Sequence, residues 1–486
     1  MIALVLSSCL ALAWADPPPQ EPSRPALAPT DVVAALETAI SDAIAKAEPS
    51  VVAIHRFKGE PSQETQAVRG RRHRLNPRER QQGVMFEGGR LIRRPEPSNM
   101  ISFDFGSGVV IGDRGQILTM YHVVKGAREL IVRAADRQVF DAEIIAADPR
   151  SDLAVIAPSE SDGAELPKLK PLVIGDAGKL RKGAFLIALG NSFNAALDGK
   201  PSASWGILSN VARKLDSSDL DDMNTPRRQP RLLEHPTLLQ LDSKLNLGMS
   251  GGAVINLKGE LVGLTTMAAS PAGFDAMAGY AIPMDKLGRR AVETLREGRE
   301  IEYGLLGIQP ESQTNRVRDV NRNSPAAQGE ILVNDEIIAV NDAPVVDFDS
   351  LILAVNAYSA GDAVRLKIRR GTETIERTLT LAKYPVDGEV IVTNRPKPWR
   401  GLRVDYTSAL IQPTFGPNMI DTALMGVVVA EVEEGSPAAA AGIKKGQLIR
   451  KVDSKSLRSP RDFYQAVAAL EGPVTLNTDL GPVTVK

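Results

Sequence analysis

From residue 102 to 290 the apolar positions fall in short runs broken by Gly, Asp and Asn: GSGVVIG, QILTMYHVV, ELIVRAA, AEIIAAD, LAVIAP, AFLIALG, SWGILSNVAR, TLLQLD, GGAVIN, ELVGLTTMA and GYAIP. Short strands at close spacing predict an all-β barrel or sandwich. The flanks read differently. Residues 31–47, DVVAALETAISDAIAKA, carry apolar positions at helical spacing, with Asp31 as the expected N-cap. A strand is predicted over 50–57, SVVAIHRF, and a closing helix over 284–298, MDKLGRRAVETLREG.

Beyond residue 300 the pattern repeats. NSPAAQGEILVNDEIIAVNDAPV (323–345) and GSPAAAAGIKKGQLIRKVDSKSL (435–457) each start a helix at Ser-Pro-Ala-Ala and then run through a turn into a strand. An internal repeat roughly 110 residues apart predicts two copies of one module.

Composition narrows the class. A chain of 486 residues is long enough for two to four domains. Hydrophobic residues make up 43% and charged residues 24%, an ordinary globular balance, and the 40 glycines and 33 prolines fit turn-rich β domains. A net charge of −1 argues against a nucleic-acid partner. The N-terminus, MIALVLSSCLALAWADPPP, reads as a signal peptide over 1–15 with a small-x-small site at Ala13-Trp14-Ala15. It lacks a positive charge, so an uncleaved anchor is the alternative; membrane association is not otherwise indicated. LSSC at 6–9 matches a lipidation box, but its apolar stretch is short. The single cysteine, Cys9, lies in this segment, so a mature chain would have no disulfide. Residues 16–47 are expected to be a Pro-rich linker followed by the helix. Within 58–100, Arg69, Arg71, Arg72, Arg74, Arg78 and Arg80 crowd a long loop. A solvated excursion explains them; a regulatory contact with an anionic surface is the sharper reading.

The candidate chemistry centres on LNLGMSGGAVINLKGELVGL (245–264), where Ser250 sits among Gly248, Gly251 and Gly252. The string matches a G-x-S-x-G nucleophile elbow, but that geometry needs a histidine after the serine. All four histidines, His55, His73, His122 and His235, precede Ser250. The order His, Asp, Ser remains open. His122 in ILTMYHVVKGA and Asp152 in DPRSDLAVIAP are each explicable alone, as a packed histidine and a turn cap. Jointly they supply a base, a buried carboxylate that fixes its tautomer, and a nucleophile. The glycines permit a tight turn that aims the N–H groups of Gly248 and Ser250 at one point. With no H-E-x-x-H, no metal and no cofactor are expected.

The segments FGSGVVIGDRGQILTMYHVV, DPRSDLAVI, LGMSGGAVINLKGELVGL and GYAIP together resemble the protease core of the HtrA/Deg family, in its two-PDZ branch. The resemblance implies a mainly β chain: a chymotrypsin-like double β-barrel over 48–298, then PDZ-like domains over 299–385 and 396–486. It implies His122 as general base, Asp152 as its orienting carboxylate, Ser250 as nucleophile, and backbone of Gly248, Met249 and Ser250 at the oxyanion. Substrate would lie along Thr265, Thr266 and Met267, with Lys244 and Leu245 near the specificity pocket. Lys244 either favours an acidic side chain or points to solvent; the resemblance favours small aliphatic residues. Peptide carboxylates would meet Gly304, Leu305, Leu306 and Gly307 in EYGLLGI, and Arg400, Gly401 and Leu402 in PWRGLRV. The implied partners are unfolded or misfolded proteins and peptide C-termini, in a periplasmic or secreted homotrimer or a multiple of it. A weak or inactive chaperone or peptide-binding scaffold on the same fold is the alternative.

The departures from the family pattern are Met249 where Asn is usual, Ala253 where Pro is usual, Met120-Tyr121 before His122, and a longer loop at 191–203. Met249 is expected to lie against a neighbouring loop without fixing the turn, so that Met249→Asn would keep or raise turnover. In the first module Asn334-Asp335 replaces Gly-Asp, which predicts a shortened groove helix.

Overall fold

The computed structural model describes residues 28–58, 84–87, 90–93, 105–159, 167–192, 198–214, 232–266, 279–322, 324–410 and 426–486. The expected signal peptide, His73, Met267 and most of the basic 58–100 segment lie outside them. That segment contributes one described hairpin, β2 (Val84–Glu87) with β3 (Arg90–Arg93).

The short apolar runs become two six-stranded barrels. The first is built from β1 (Val51–Phe57), β4 (Phe105–Val110), β5 (Ile117–Met120), β6 (Glu129–Arg133), β7 (Val139–Asp148) and β8 (Leu153–Pro158). They run in the order β7-β6-β1-β4-β5-β8, and β7 pairs with β8 to close the ring. The second holds β9 (Phe185–Gly190), β10 (Ser202–Arg213), β11 (Leu238–Leu241), β12 (Ala253–Ile255), β13 (Leu261–Thr265) and β14 (Gly279–Pro283), closed in the order β10-β11-β14-β13-β12-β9. Ile54, Ile117, Leu118, Met120, Leu153 and Ile156 fill the first barrel, and Leu186, Ile187 and Leu189 line β9. Each such side chain contributes about 1.5–3 kcal/mol by leaving water.

Helix α1 spans Pro29–Ala47, three residues earlier than an N-cap at Asp31 would set it. Pro29 presets the first helical φ, so Ala28 occupies the N-cap and Asp31 falls in the first turn. A four-residue helix, α2 (Tyr121–Val124), follows β5. The closing helix is α3 (Lys286–Arg296), where the Asp285 carboxylate accepts the N–H groups of Leu287 and Gly288.

The two C-terminal modules repeat one local plan. In each, a serine caps a four-residue helix: Ser324 caps α4 (Pro325–Gln328), and Ser436 caps the equivalent Pro437–Ala440. In each, a glycine with positive φ lies directly against that serine. A Cβ on Gly307 would fall 2.2 Å from Ser324 Cβ, and one on Gly401 2.1 Å from Ser436 Cβ. The groove helix of the first module is α5 (Phe348–Asn356), with nine residues against eight for Pro460–Val467 of the second. The expected shortening does not occur, because the Asp347–Ser350 capping box starts α5 cleanly.

The first module is docked on the barrels. His235 Nδ1 lies 2.8 Å from Asp349 Oδ1 of α5, and Arg290 of α3 donates to the carbonyls of Asn356 (2.9 Å) and Glu302 (2.6 Å). The chain leaving it adds a two-residue strand, Ile391–Val392, to β7 at Ala146 and Ala147. At the junction of the two modules, buried Lys383 reaches Glu300 (2.9 Å) and Asp405 (2.9 Å).

Candidate active site

Of the described histidines, His55 is half-buried in β1, where desolvation, and secondarily Arg133, hold its imidazole down to about 4. His235 is buried against Asp349. His122 differs. Its side chain is 33% exposed, and its Nδ1 lies 2.7 Å from Asp152 Oδ2, whose side chain is 4% exposed. The backbone N–H of His122 donates to Asp152 Oδ1 at 3.0 Å, so one carboxylate holds both ends of the residue. With Nδ1–H given to the carboxylate, the Nε2 lone pair is left to take a proton. Arg56 Nη1 donates to the carbonyls of His122 (2.7 Å) and Lys125 (3.1 Å), pinning α2 to β1.

Ser250 belongs to the turn before β12. Gly248 sits at φ +91, and a Cβ there would fall 2.2 Å from the Phe105 ring and 2.4 Å from the Asn191 carbonyl. Glycine is the residue that this turn admits. Ser107, between the glycines of FGSGVV, ties the turn to the first barrel. Its N–H donates to Ser250 O (2.8 Å), its Oγ–H donates to Gly248 O (2.7 Å), and its Oγ accepts the Asn191 N–H (2.8 Å). A Cβ on the neighbouring Gly106 would touch both Val123, next to His122, and the Ser250 carbonyl. That strand therefore brings the histidine helix and the serine turn together.

Among the described residues the N–H groups of Gly248 and Ser250 have no hydrogen-bond partner. The Met249 N–H does have one, Asn246 O at 3.1 Å, so Met249 does not join the other two as a donor. Nor does Met249 lie loosely on a loop: its side chain is 2% exposed and packs with Ala188 and Leu245, and its Sδ accepts the Asn246 N–H. An asparagine there would bury its amide among apolar neighbours.

The expected substrate residues divide. Leu245 is buried beside Ala188 and Met249, and its side chain faces Gly279 of β14. Lys244 is exposed. Thr265 serves the serine turn: its Oγ–H donates to Met249 O, its Oγ accepts the Gly252 N–H (2.9 Å), and its backbone pairs with Gly251 and Gly252. No backbone group of Thr265 remains to pair with a substrate strand. Thr266 donates its N–H to Tyr280 O, and its buried hydroxyl has no hydrogen-bond partner among the described residues. In the modules, the N–H groups of Leu306 and Gly307, and of Arg400 and Gly401, are unpaired among the described residues, whereas Leu402 N–H is bonded to Trp399 O. The Arg400 guanidinium does not face that loop but binds Val485 O and Gly472 O. Gly304 and Leu305 pair with Lys383 and Ala382 at the module's base.

Sequence reasoning missed Ser107 and Arg56. Ser107 carried a signal, a lone hydroxyl between glycines in a buried strand. Arg56 carried none, since an arginine ending a strand is commonplace.

Comparison with known proteins gives three domains. A trypsin-like peptidase domain matches residues 106–264, and PDZ domains match 304–381 and 428–477. The chain is 28% identical to a Chlamydia trachomatis protein named "Probable periplasmic serine endoprotease DegP-like", over 96% of this chain and 89% of that one. It is also 28% identical to the periplasmic serine endoprotease DegP of Escherichia coli, over 78% and 75%. The same identity holds against the Escherichia coli pH-dependent enzyme DegQ, over 76% and 77%. Among solved structures, the HtrA-type protease AlgW with a tripeptide matches at TM-score 0.50 and 22% identity, covering 71% of this chain and 97% of that one; the likeness is one of fold.

Proposed function

We propose, on the premise that this chain belongs to the HtrA/Deg family of PDZ-containing, trypsin-like serine endoproteases, that it cleaves misfolded or exposed protein segments through His122, Asp152 and Ser250. Ser250 Oγ attacks the scissile carbonyl carbon as its proton passes to His122 Nε2. The resulting oxyanion accepts the N–H groups of Gly248 and Ser250. Asp152 holds the imidazole and stabilises its charged form. His122 then gives the proton to the leaving amine. Water hydrolyses the acyl-enzyme by the same route in reverse.

The observation that carries this reading is the 2.7 Å bond between His122 Nδ1 and Asp152 Oδ2, made in the chain order His, Asp, Ser. The apolar setting of Leu245, with Lys244 exposed, supports small aliphatic residues at the cleaved position. The unpaired N–H groups of Leu306–Gly307 and Arg400–Gly401 support capture of peptide C-termini by the two modules. The names of relatives support a periplasmic setting; a role in protein quality control without ATP rests on the family resemblance alone. Ser250→Ala and His122→Ala are each expected to abolish casein cleavage while thermal melts stay cooperative. Undiminished cleavage by either folded variant would remove it from the reaction.

A further inference from the structure

The turn that presents Asp152 is held from outside its own barrel. Residues 149–152 join β7 to β8, and Asp152 closes the turn at φ +59. A side-chain-bearing residue stays in that left-handed region only where its surroundings over-determine it. Part of the constraint is local, with Asp148 Oδ2 accepting the Ser151 N–H at 2.8 Å, and part comes from the stretch before β11, where the Leu232 N–H donates to Arg150 O at 2.9 Å.

The rest comes from the first PDZ module. Tyr303, immediately before the matched PDZ segment, donates its phenol to the same Asp148 Oδ2 at 2.6 Å. Tyr384, just after that segment, lies with its ring centroid 3.6 Å from the Arg150 guanidinium carbon, and Tyr303 presents its ring to the same group at 5.0 Å. Arg150 is 4% exposed. Among the described residues its Nε and Nη1 have no hydrogen-bond partner, and its Nη2 reaches Asn356 Oδ1 at 3.4 Å. A buried guanidinium with so few hydrogen bonds depends on the two ring faces. Behind the turn, Ala146 and Ala147 pair with Ile391 and Val392 of the departing chain. The module thus touches residues 146–150, on the run into Asp152.

We infer that Tyr303 and Tyr384 are positioning residues for Asp152, acting through Asp148 and Arg150. This rests on Asp152 being the carboxylate of the triad. A shift on the order of 1 Å in a catalytic group costs about 10²-fold in rate without weakening substrate binding.

The test uses the full chain and a short peptide substrate that does not reach the PDZ grooves. Tyr303→Phe deletes one hydroxyl and keeps the ring; Tyr384→Leu removes the ring; Tyr384→Phe keeps it. Tyr303→Phe and Tyr384→Leu are expected to lower kcat about tenfold with KM within about twofold, and Tyr384→Phe to stay near wild type. In an Asp152→Asn background the first two should add less than about twofold, because their effect runs through that carboxylate. Should Tyr384→Leu fail to fold, Tyr303→Phe decides. Wild-type kcat in Tyr303→Phe overturns the inference, as does a full multiplicative loss in the Asp152→Asn background. If Asp152→Asn alone cleaves like wild type, the triad reading fails first and takes this inference with it.

Discussion

The two halves of the candidate site are built by opposite means. The serine half is held by the barrels themselves: Ser107 from the first, Thr265 and the Asn191 N–H from the second. The aspartate half is gripped by parts from beyond the barrels, namely Tyr303, Tyr384, Asn356 and the strand Ile391–Val392. The candidate oxyanion donors therefore sit on a turn held within the barrels, whereas the turn of the candidate carboxylate is also braced by the first module. Damage to the two halves should look different.

The largest effect is expected on the aspartate side. Asp152→Asn turns the imidazole to the wrong tautomer, and a loss of about 10³–10⁴ in kcat follows. Steady-state kinetics on one peptide check it, and a variant cleaving at the wild-type rate would remove Asp152 from the triad. Next comes the serine side. Gly248→Val would thrust a branched side chain into the Phe105 ring and the Asn191 carbonyl, displacing one oxyanion donor. The expected loss is at least about 10²–10³ in kcat, and it should persist whatever is done to the PDZ modules. Full activity would take this glycine turn out of the oxyanion site.

The junction gives a smaller, pH-dependent effect. Burial pushes the Glu302 carboxyl up to about 7, with Glu300 and Asp405 adding to the rise and Lys383 opposing it. A carboxyl raised in the folded state binds a proton that the unfolded chain has released, so its contribution falls as pH rises from its ordinary value through about 7. Relative to wild type, Glu302→Gln should thus gain thermal stability at pH 8 over pH 5. Equal differences in Tm at both values would show that Glu302 does not titrate there. The smallest effect belongs to Met249→Leu. Because the side chain is packed against Ala188 and Leu245, a volume-conserving change should cost less than about 1.5 kcal/mol and leave kcat within a few-fold. A larger loss on denaturant melts would mean that the sulfur contact to Asn246 matters more than the packing.

The sequence revealed more of the serine half than of the aspartate half. Gly248, Ser250 and Gly251 announced a turn because glycine marks positive φ, and the short apolar runs announced an all-β barrel or sandwich. The Ser-Pro-Ala-Ala repeat announced two modules with one plan. Asp152 was visible as a carboxylate entering an apolar strand, but what holds it was not. Tyr303, Tyr384 and Ile391 lie far from it along the chain, and no periodicity ties an aromatic in one domain to an arginine in another. Met249 misled for a related reason: a flexible side chain in a glycine-rich turn looks loose until its neighbours Ala188 and Leu245 are known. The family resemblance made Thr265 a substrate edge, yet its hydroxyl and backbone are taken up by the serine turn.

Active-site labelling tests the central claim, that Ser250 is a nucleophile activated by His122, most directly. Wild-type chain treated with a serine-directed fluorophosphonate and analysed by peptide mass spectrometry should carry one adduct, on Ser250. The adduct should disappear in His122→Ala and fall sharply in Asp152→Asn. An adduct on another serine, or labelling of Ser250 that is unchanged without His122, would contradict the account.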